Sequence, residues 1–219
     1  VDVQDWVLVA LRKRLQEQNG RFLAELRPAT SLFLRFSGLD FDNDSEAGSK
    51  LDRFIRHVQR VINRHEAALI QLTTGDKGSY LYVAFGAPIA HDDDARRAVV
   101  AALELRNSAS QFPFLSSLHI GISQGAMRVG PYGSSTRQTY GVLGEEVNMA
   151  ARLMTNAVDG QILVSKVVYE ATANDFIFDE PRQLRLKGRS ALQTVYSVIG
   201  RQSRIASHLQ RLYKEPLAA

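Results

Sequence analysis

An amide and a guanidinium lie four positions apart in the segment GEEVNMAARLM, which otherwise has the apolar spacing of a buried helix. The two residues are Asn148 and Arg152. Four residues turn an α-helix by about 400°, so these side chains are expected roughly 40° apart on one face. An Arg held in this way can stabilise the negative charge that develops on phosphate oxygens during phosphoryl transfer. The alternative is structural, with the pair capping or crosslinking neighbouring loops.

Two other segments suggest sites but have simpler interpretations. The acids of HDDDA stand at the start of a predicted helix, where carboxylates stabilise free backbone N–H groups and the helix dipole. The glycine-rich GAMRVGPYGSS lacks the Gly-Lys-Ser/Thr ending of a phosphate-binding loop. We therefore interpret the first as a helix start and the glycines of the second as tight turns.

Composition limits the classes of protein to consider. The 219 residues, 45% of them hydrophobic and 23% charged, can bury one sizeable core. There are no cysteines, which excludes disulfides and thiolate metal sites. The net charge of +4 mildly favours anionic ligands such as nucleotide phosphates. No apolar run approaches the roughly 18 residues of a membrane span, and no signal-peptide pattern is present, so we expect a cytoplasmic protein without a membrane partner.

The order of predicted elements defines the fold class. A first helix covers Asp5 to Gln18. Then come a strand in TSLFLRFS, a helix in LDRFIRHVQRVINRH, strands in ALIQLTT and SYLYVAFG, a helix after HDDDA and a strand in SLHIGIS. This order predicts an α+β fold with a ferredoxin-like βαββαβ core, to which a hairpin and further helices are appended. We expect the helices to cover one face of a mainly antiparallel sheet.

Several segments together resemble the catalytic domain of the class III nucleotide cyclases. The resemblance covers residues 30 to 199. They are FGAPIAHDDDARRAVVAAL, HIGISQGAMRVGPYG, TYGVLGEEVNMAARLM, GQILVS and LRLKG followed by TVYSV. GDKGSYLYVAFGAP most resembles the second, metal-free cyclase domain of soluble bicarbonate-type adenylyl cyclases and of their bacterial multidomain relatives. On this basis we assign residues 1–28 to an N-terminal linker helix, 29–200 to the cyclase homology domain and 201–219 to a C-terminal helical extension.

The resemblance implies roles for the polar pair and for one Lys. In that family two domains pair head to tail, and one half holds two metal ions through two Asp residues. The other half supplies an Asn and an Arg that stabilise the transition state, and these match Asn148 and Arg152. Lys187 in LRLKG matches a Lys that reaches the triphosphate, although an exposed Lys near a turn is commonly just solvated.

The family pattern is broken at both metal positions. Arg35 in FLRFSGL stands where the first Asp belongs, and Ser79, six residues before Phe85, stands at the second. This domain alone is therefore expected to bind no metal, and Mg or Mn is expected on a partner domain. Arg35 either forms a structural salt bridge or binds an anion directly.

Recognition of the base is also altered. The residue seven positions before the Asn recognises the purine in adenylate-specific members, and here it is Gly141, which has no side chain. Lys77 of DKG is the nearest candidate for the second base-recognising residue, with an exposed turn position as the alternative. ATP and GTP both remain candidate ligands.

Three functions follow from these observations. The first is a metal-free cyclase domain, inactive alone, that helps to make cyclic nucleotide and pyrophosphate with a metal-bearing domain of the same parent chain or a second copy. The second is a non-catalytic regulatory or dimerisation module that has kept the fold. The third, nucleic-acid binding, lacks the aromatic strand motif of RNA-recognition domains, so no nucleic-acid partner is expected.

Overall fold

The structure is a computed structural model that describes residues 24–75, 78–134, 138–188 and 191–202. Its strands are β1 Glu25–Ser37, β2 Ala68–Thr73, β3 Ser79–Phe85, β4 Ser117–Gly133, β5 Gln138–Leu143, β6 Ile162–Ser165, β7 Phe176–Phe178, β8 Arg182–Leu184 and β9 Gln193–Arg201. Its helices are α1 Ala47–Arg64, α2 Asp94–Ser108, α3 Glu145–Asn156 and α4 Lys166–Thr172, with a short 3₁₀ turn at Ala109–Gln111.

The predicted terminal elements fall almost wholly outside the described residues. This applies to the helix over Asp5 to Gln18 and to all of the 201–219 extension except its first two residues. Strand β1 already begins at Glu25, four residues before the start assigned to the cyclase homology domain. No helix in the described part of the chain is long and apolar enough to cross a membrane.

The sheet has the order β2-β3-β1-β4-β6-β9-β7, with β5 paired to β4 and β8 paired to β9. β1 lies in the interior of the sheet and is antiparallel to both β3 and β4, whereas β4 and β6 are parallel. The first six elements therefore follow the order βαββαβ, and the β4–β5 hairpin, α3 and later elements are added to them. The predicted α+β fold with a ferredoxin-like core is confirmed.

The two faces of the sheet are covered by different helices. Alternate residues of β1 point to opposite faces. One set joins the larger core with α1, α2 and α4, and comprises Leu32, Leu34 and Phe36. The other set, Ala29 and Phe33, packs in a second cluster that includes Ala150 and Met154 of α3. The expectation that the helices share one face is therefore wrong for α3.

Helix α3 lies directly against β4 at Gly121. A Cβ built on this glycine would overlap the carbonyl oxygen of Ala150 and the amide nitrogen of Met154. Only a residue without a side chain allows helix and strand backbones to approach this closely. Gly121 therefore sets the position of the helix that carries Asn148 and Arg152.

Strand β4 is longer than the sequence predicts. It continues through Gly125 and Gly130 to Gly133, and β1 and β5 pair with it along this stretch. Gly125 has a packing role, because a Cβ there would lie 2.7 Å from Cγ of Glu146 in the first turn of α3. The interpretation of Gly125 and Gly130 as turn residues is therefore wrong, because both lie inside a paired strand.

Candidate active site

Helix α3 presents the polar pair on its outer side. Asn148 is exposed and Arg152 is partly buried, and both lie within this single helix as their spacing predicts. The opposite side is buried and apolar, with Met149, Ala150, Leu153 and Met154. Packing of that side fixes the helix, so the amide and the guanidinium project from a rigid support.

One side-chain contact ties the start of α3 to the sheet. The hydroxyl of buried Ser123 in β4 donates a hydrogen bond to the carboxylate of Glu146. At the other end, the side-chain amide of Asn156 donates to the carbonyl oxygen of Arg152 at 2.8 Å, a contact within the helix itself. The position of the helix therefore depends on its buried apolar side and on the contact with Ser123.

The loop that contains Lys187 lies beside Arg152. A Cβ built on Gly188 would lie 3.2 Å from Nη2 of Arg152. The preceding Leu186 is buried in one apolar cluster with Met149 and Leu153 of α3, which anchors the loop to the helix. The structure thus places the loop residues on either side of Lys187 against α3, about 35 residues earlier in the chain, while Lys187 itself is exposed.

Replacing Gly188 by Ala is expected to lower the turnover of a paired cyclase site by about threefold to tenfold, because the added methyl group would lie 3.2 Å from Nη2 of Arg152 and would shift the guanidinium slightly. Gly188 has φ +77°, so the substitution also strains the backbone. Gly160→Ala is the matched control, since Gly160 has φ +69° and a Cβ there would have no atom within 4 Å. Both substitutions strain the backbone, but only Gly188→Ala places an atom against Arg152. Steady-state turnover is measured for both variants, and equal losses in the two would contradict the prediction.

The two metal positions of the family lie side by side in the sheet. Arg35 in β1 pairs with Tyr80, and the next residue, Phe36, pairs with Ser79. A Cβ on Gly78 would lie 3.9 Å from Cγ and Cδ of Arg35. The aliphatic part of the Arg35 side chain therefore runs past this glycine. Within the described part of the chain Arg35 makes no hydrogen bond and no ion pair, so the salt-bridge interpretation finds no partner there.

A cavity of about 580 Å³ opens next to Ser79 and is lined by residues 36–42 and by Thr74, Gly75 and Gly78. Asp40 lies on its lining, but hydrogen bonds from the side chain and backbone of Asn43 occupy its carboxylate and lower its pKa. Among the described residues, no three His, Cys, Asp or Glu side chains come together as a metal site. The guanidinium of Arg35 repels a divalent cation, and the hydroxyl of Ser79 offers an oxygen ligand without the negative charge of a carboxylate.

An aromatic ring covers the position that the family resemblance assigns to base recognition. Gly141 is buried in β5, and a Cβ there would lie 2.6 Å from Cε1 of Tyr132 in β4. Lys77, the other predicted base-recognising residue, lies outside the described residues. Sequence reasoning missed Tyr132, and only the pairing of Gly130 with Gly141 in the β4–β5 hairpin reveals its position.

The acids of HDDDA have structural partners. Asp94 begins α2 and is buried, and it accepts a hydrogen bond from the backbone N–H of His91 at 2.9 Å. Asp93 forms an ion pair with Arg97 at 2.6 Å, which lowers the pKa of Asp93. The position of these acids at a helix start is confirmed, but no side-chain cap of the backbone N–H groups forms, and Asp93 and Asp94 act through an ion pair and a loop contact.

The fold and the site define a class III nucleotide cyclase domain. Residues 39–200 match the family described as "Adenylate and Guanylate cyclase catalytic domain", and the chain belongs to that family. It is 26% identical to human adenylate cyclase type 10 over 208 aligned residues. The aligned region covers 94% of this chain and 13% of that protein. It is 29% identical over 201 residues to an adenylate cyclase of Mycobacterium tuberculosis, covering 88% of this chain and 44% of that protein.

Solved structures show the same fold. The adenylyl cyclase CyaB from P. aeruginosa superposes with a TM-score of 0.75 at 24% identity, covering 84% of this chain and 98% of that one. The guanylyl cyclase Cya2 superposes with a TM-score of 0.70 at 27% identity, covering 90% of this chain and all of that one. The chain spans less than half of the length of the curated relatives named above.

Proposed function

We propose that this chain is the metal-free member of a paired class III cyclase site. It contributes Asn148 and Arg152, with Lys187 beside them, to a nucleoside triphosphate and metal ions held by a metal-bearing partner domain. The single observation that carries this proposal is that α3 presents the pair on a rigid support while Arg35 and Ser79 occupy the metal positions. The metal-bearing partner is a cyclase domain of the same parent chain; a second copy of this chain could pair in the same manner but would bring no metal ligands, because it too has Arg35 and Ser79 at these positions. A cytoplasmic location and a role in signalling are part of the same proposal.

The chemistry assigned to this chain is stabilisation of charge. Cyclisation brings the ribose 3′-hydroxyl onto the α-phosphorus, and pyrophosphate leaves with its electron pair. Negative charge grows on the phosphate oxygens as the leaving bond breaks, and the Arg152 guanidinium stabilises it more strongly in the transition state than in the ground state. Asn148 supplies an uncharged donor on the same helix face. Lys187 neutralises charge on the triphosphate.

In this proposal the metal ions come from the partner, because this chain has Arg35 and Ser79 where the family has its two Asp residues. A dication about 4 Å from a unit charge interacts with roughly 8 kcal/mol at an effective dielectric constant near 20. Replacing the Asp of the family by Arg35 turns this attraction into repulsion. No other side chain of the proposed site activates the 3′-hydroxyl.

The isolated chain is therefore expected to show negligible cyclase activity with Mg or Mn, with ATP or with GTP. The measurement is cyclic nucleotide formation by the purified chain at high protein concentration, where weak self-association would assemble any homodimeric site. Robust product formation that Arg152→Ala abolishes would overturn the metal-free assignment.

A non-catalytic regulatory or dimerisation module is the second candidate, and Gly141 favours it. A domain that keeps the fold but lacks a base-recognising side chain has lost one requirement for selecting substrate. This candidate predicts that substitutions at Arg152 change the response of the full-length protein to effectors and leave its maximal rate nearly intact.

A further inference from the structure

Tyr132 and position 141 share one face of the β4–β5 hairpin. Gly130 pairs with Gly141 and Tyr132 pairs with Thr139, so Tyr132 is the diagonal neighbour of Gly141 across the two strands. Side chains in this relation are close enough to touch when one of them is long or aromatic. The ring of Tyr132 consequently lies where a side chain at position 141 would begin.

The approach is close enough to exclude any larger residue from position 141 while the ring stays in place. A Cβ built on Gly141 would lie 2.6 Å from Cε1 of Tyr132 and 3.5 Å from both Cζ and the hydroxyl oxygen. The phenol ring of Tyr132, on the neighbouring strand, thus occupies the space that a side chain at position 141 would fill.

The phenol is available to a ligand. Tyr132 is 40% exposed although Gly141 beneath it is buried. Its hydroxyl makes no hydrogen bond with any residue in the part of the chain that the structure describes. Tyr82, by contrast, is buried, and its hydroxyl bonds Ser31 and the carbonyl oxygen of Val142. Tyr82 therefore has a structural role, whereas Tyr132 is partly exposed and lies close enough to Tyr82 to contribute to the raised pKa of the Tyr82 phenol, after burial as the main cause.

The geometry points to Tyr132 as the residue that contacts the purine base, in place of the side chain that Gly141 lacks. This inference rests on the proposed function and concerns the same site. A phenol can donate or accept a hydrogen bond by rotating its O–H. It accepts from a 6-amino group of adenine and donates to a 6-oxo group of guanine, and its ring packs on either base. The site consequently binds ATP and GTP with little discrimination.

The test uses the full-length protein and compares Tyr132→Ala with Tyr132→Phe. Tyr132→Ala removes both the ring and the hydroxyl, and it is expected to raise KM for ATP and for GTP by about tenfold each with turnover nearly unchanged. Tyr132→Phe keeps the ring and is expected to raise both KM values only about threefold. Thermal melts of both variants confirm that the hairpin stays folded.

The contrary results are distinct from those that would overturn the proposed function. KM values within about twofold of the unsubstituted protein for Tyr132→Ala, or a loss of turnover without a change in KM, would show that the ring merely covers Gly141 and would overturn the inference. A large rise for one nucleotide only would overturn the absence of discrimination. Arg152→Ala is measured in parallel, and unchanged turnover in that variant overturns the proposed function itself.

Discussion

Arg152→Ala in the full-length protein is expected to lower turnover by about 10² to 10³, with a much smaller change in nucleotide affinity. Loss of one donor that stabilises developing charge costs roughly 3 to 4 kcal/mol in the transition state. The Michaelis constant changes less because the interaction strengthens only as charge develops on the phosphate oxygens. The side chain lies beside Gly188, and the helix is packed through Met149, Leu153 and Met154 on its other side, so truncation leaves the helix in place. The measurement is turnover and KM at saturating metal.

Arg35→Ala is the matched control for this prediction. It removes another partly buried Arg from the same domain, but one that stands at a position with no metal to lose. Its turnover is expected to stay within about fivefold of the unsubstituted protein. Equal and small effects of both substitutions, in variants with unchanged melting temperatures, would favour the regulatory module.

Gly121→Ala is expected to destabilise the domain by about 3 kcal/mol and to lower its melting temperature by about 6 to 12 °C. The added Cβ would overlap backbone atoms of Ala150 and Met154, and a helix backbone cannot rotate away as a side chain can. Helix α3 must move off the sheet, which opens the apolar cluster containing Met154. Because α3 carries Arg152, catalysis in the full-length protein should fall with stability.

Gly200→Ala provides the comparison for this stability effect. Gly200 also lies in a strand, β9, but a Cβ there would have no atom within 4 Å. This substitution should change the free energy of unfolding by less than about 0.5 kcal/mol. Equal losses of stability in the two variants, measured by thermal or denaturant unfolding, would mean that Gly121 is not a point of close contact.

Much of the fold could be predicted from the sequence because the core elements have clear periodicity. The apolar spacing of LDRFIRHVQRVINRH predicted α1, and the β-prone runs predicted β1 to β3. The face on which α3 packs could not be predicted, because it depends on the contact between Gly121 and a helix about 30 residues later. The length of β4 was missed for a related reason. Glycines inside a strand look like turn signals until the paired neighbours are known.

The candidate site was predictable only where its residues share one element. Asn148 and Arg152 lie in one helix, so their spacing alone predicts a common face. Gly188 beside Arg152 and Tyr132 over Gly141 each join two separate elements, and their contacts depend on tertiary packing. Sequence spacing contains no information on such distances, which is why both residues appear only in the structure.

The central claim is that Arg152 acts on a nucleotide whose metal ions belong to another domain, and a mixing experiment tests it most directly. The chain is combined with a metal-bearing class III cyclase domain whose own transition-state Asn and Arg have been replaced by Ala, and pairing is verified by sedimentation. The account predicts cyclic nucleotide formation by the mixture, none by either component alone, and none when the added chain bears Arg152→Ala. A mixture that pairs but forms no product, or one equally active with the Arg152→Ala chain, would contradict the claim.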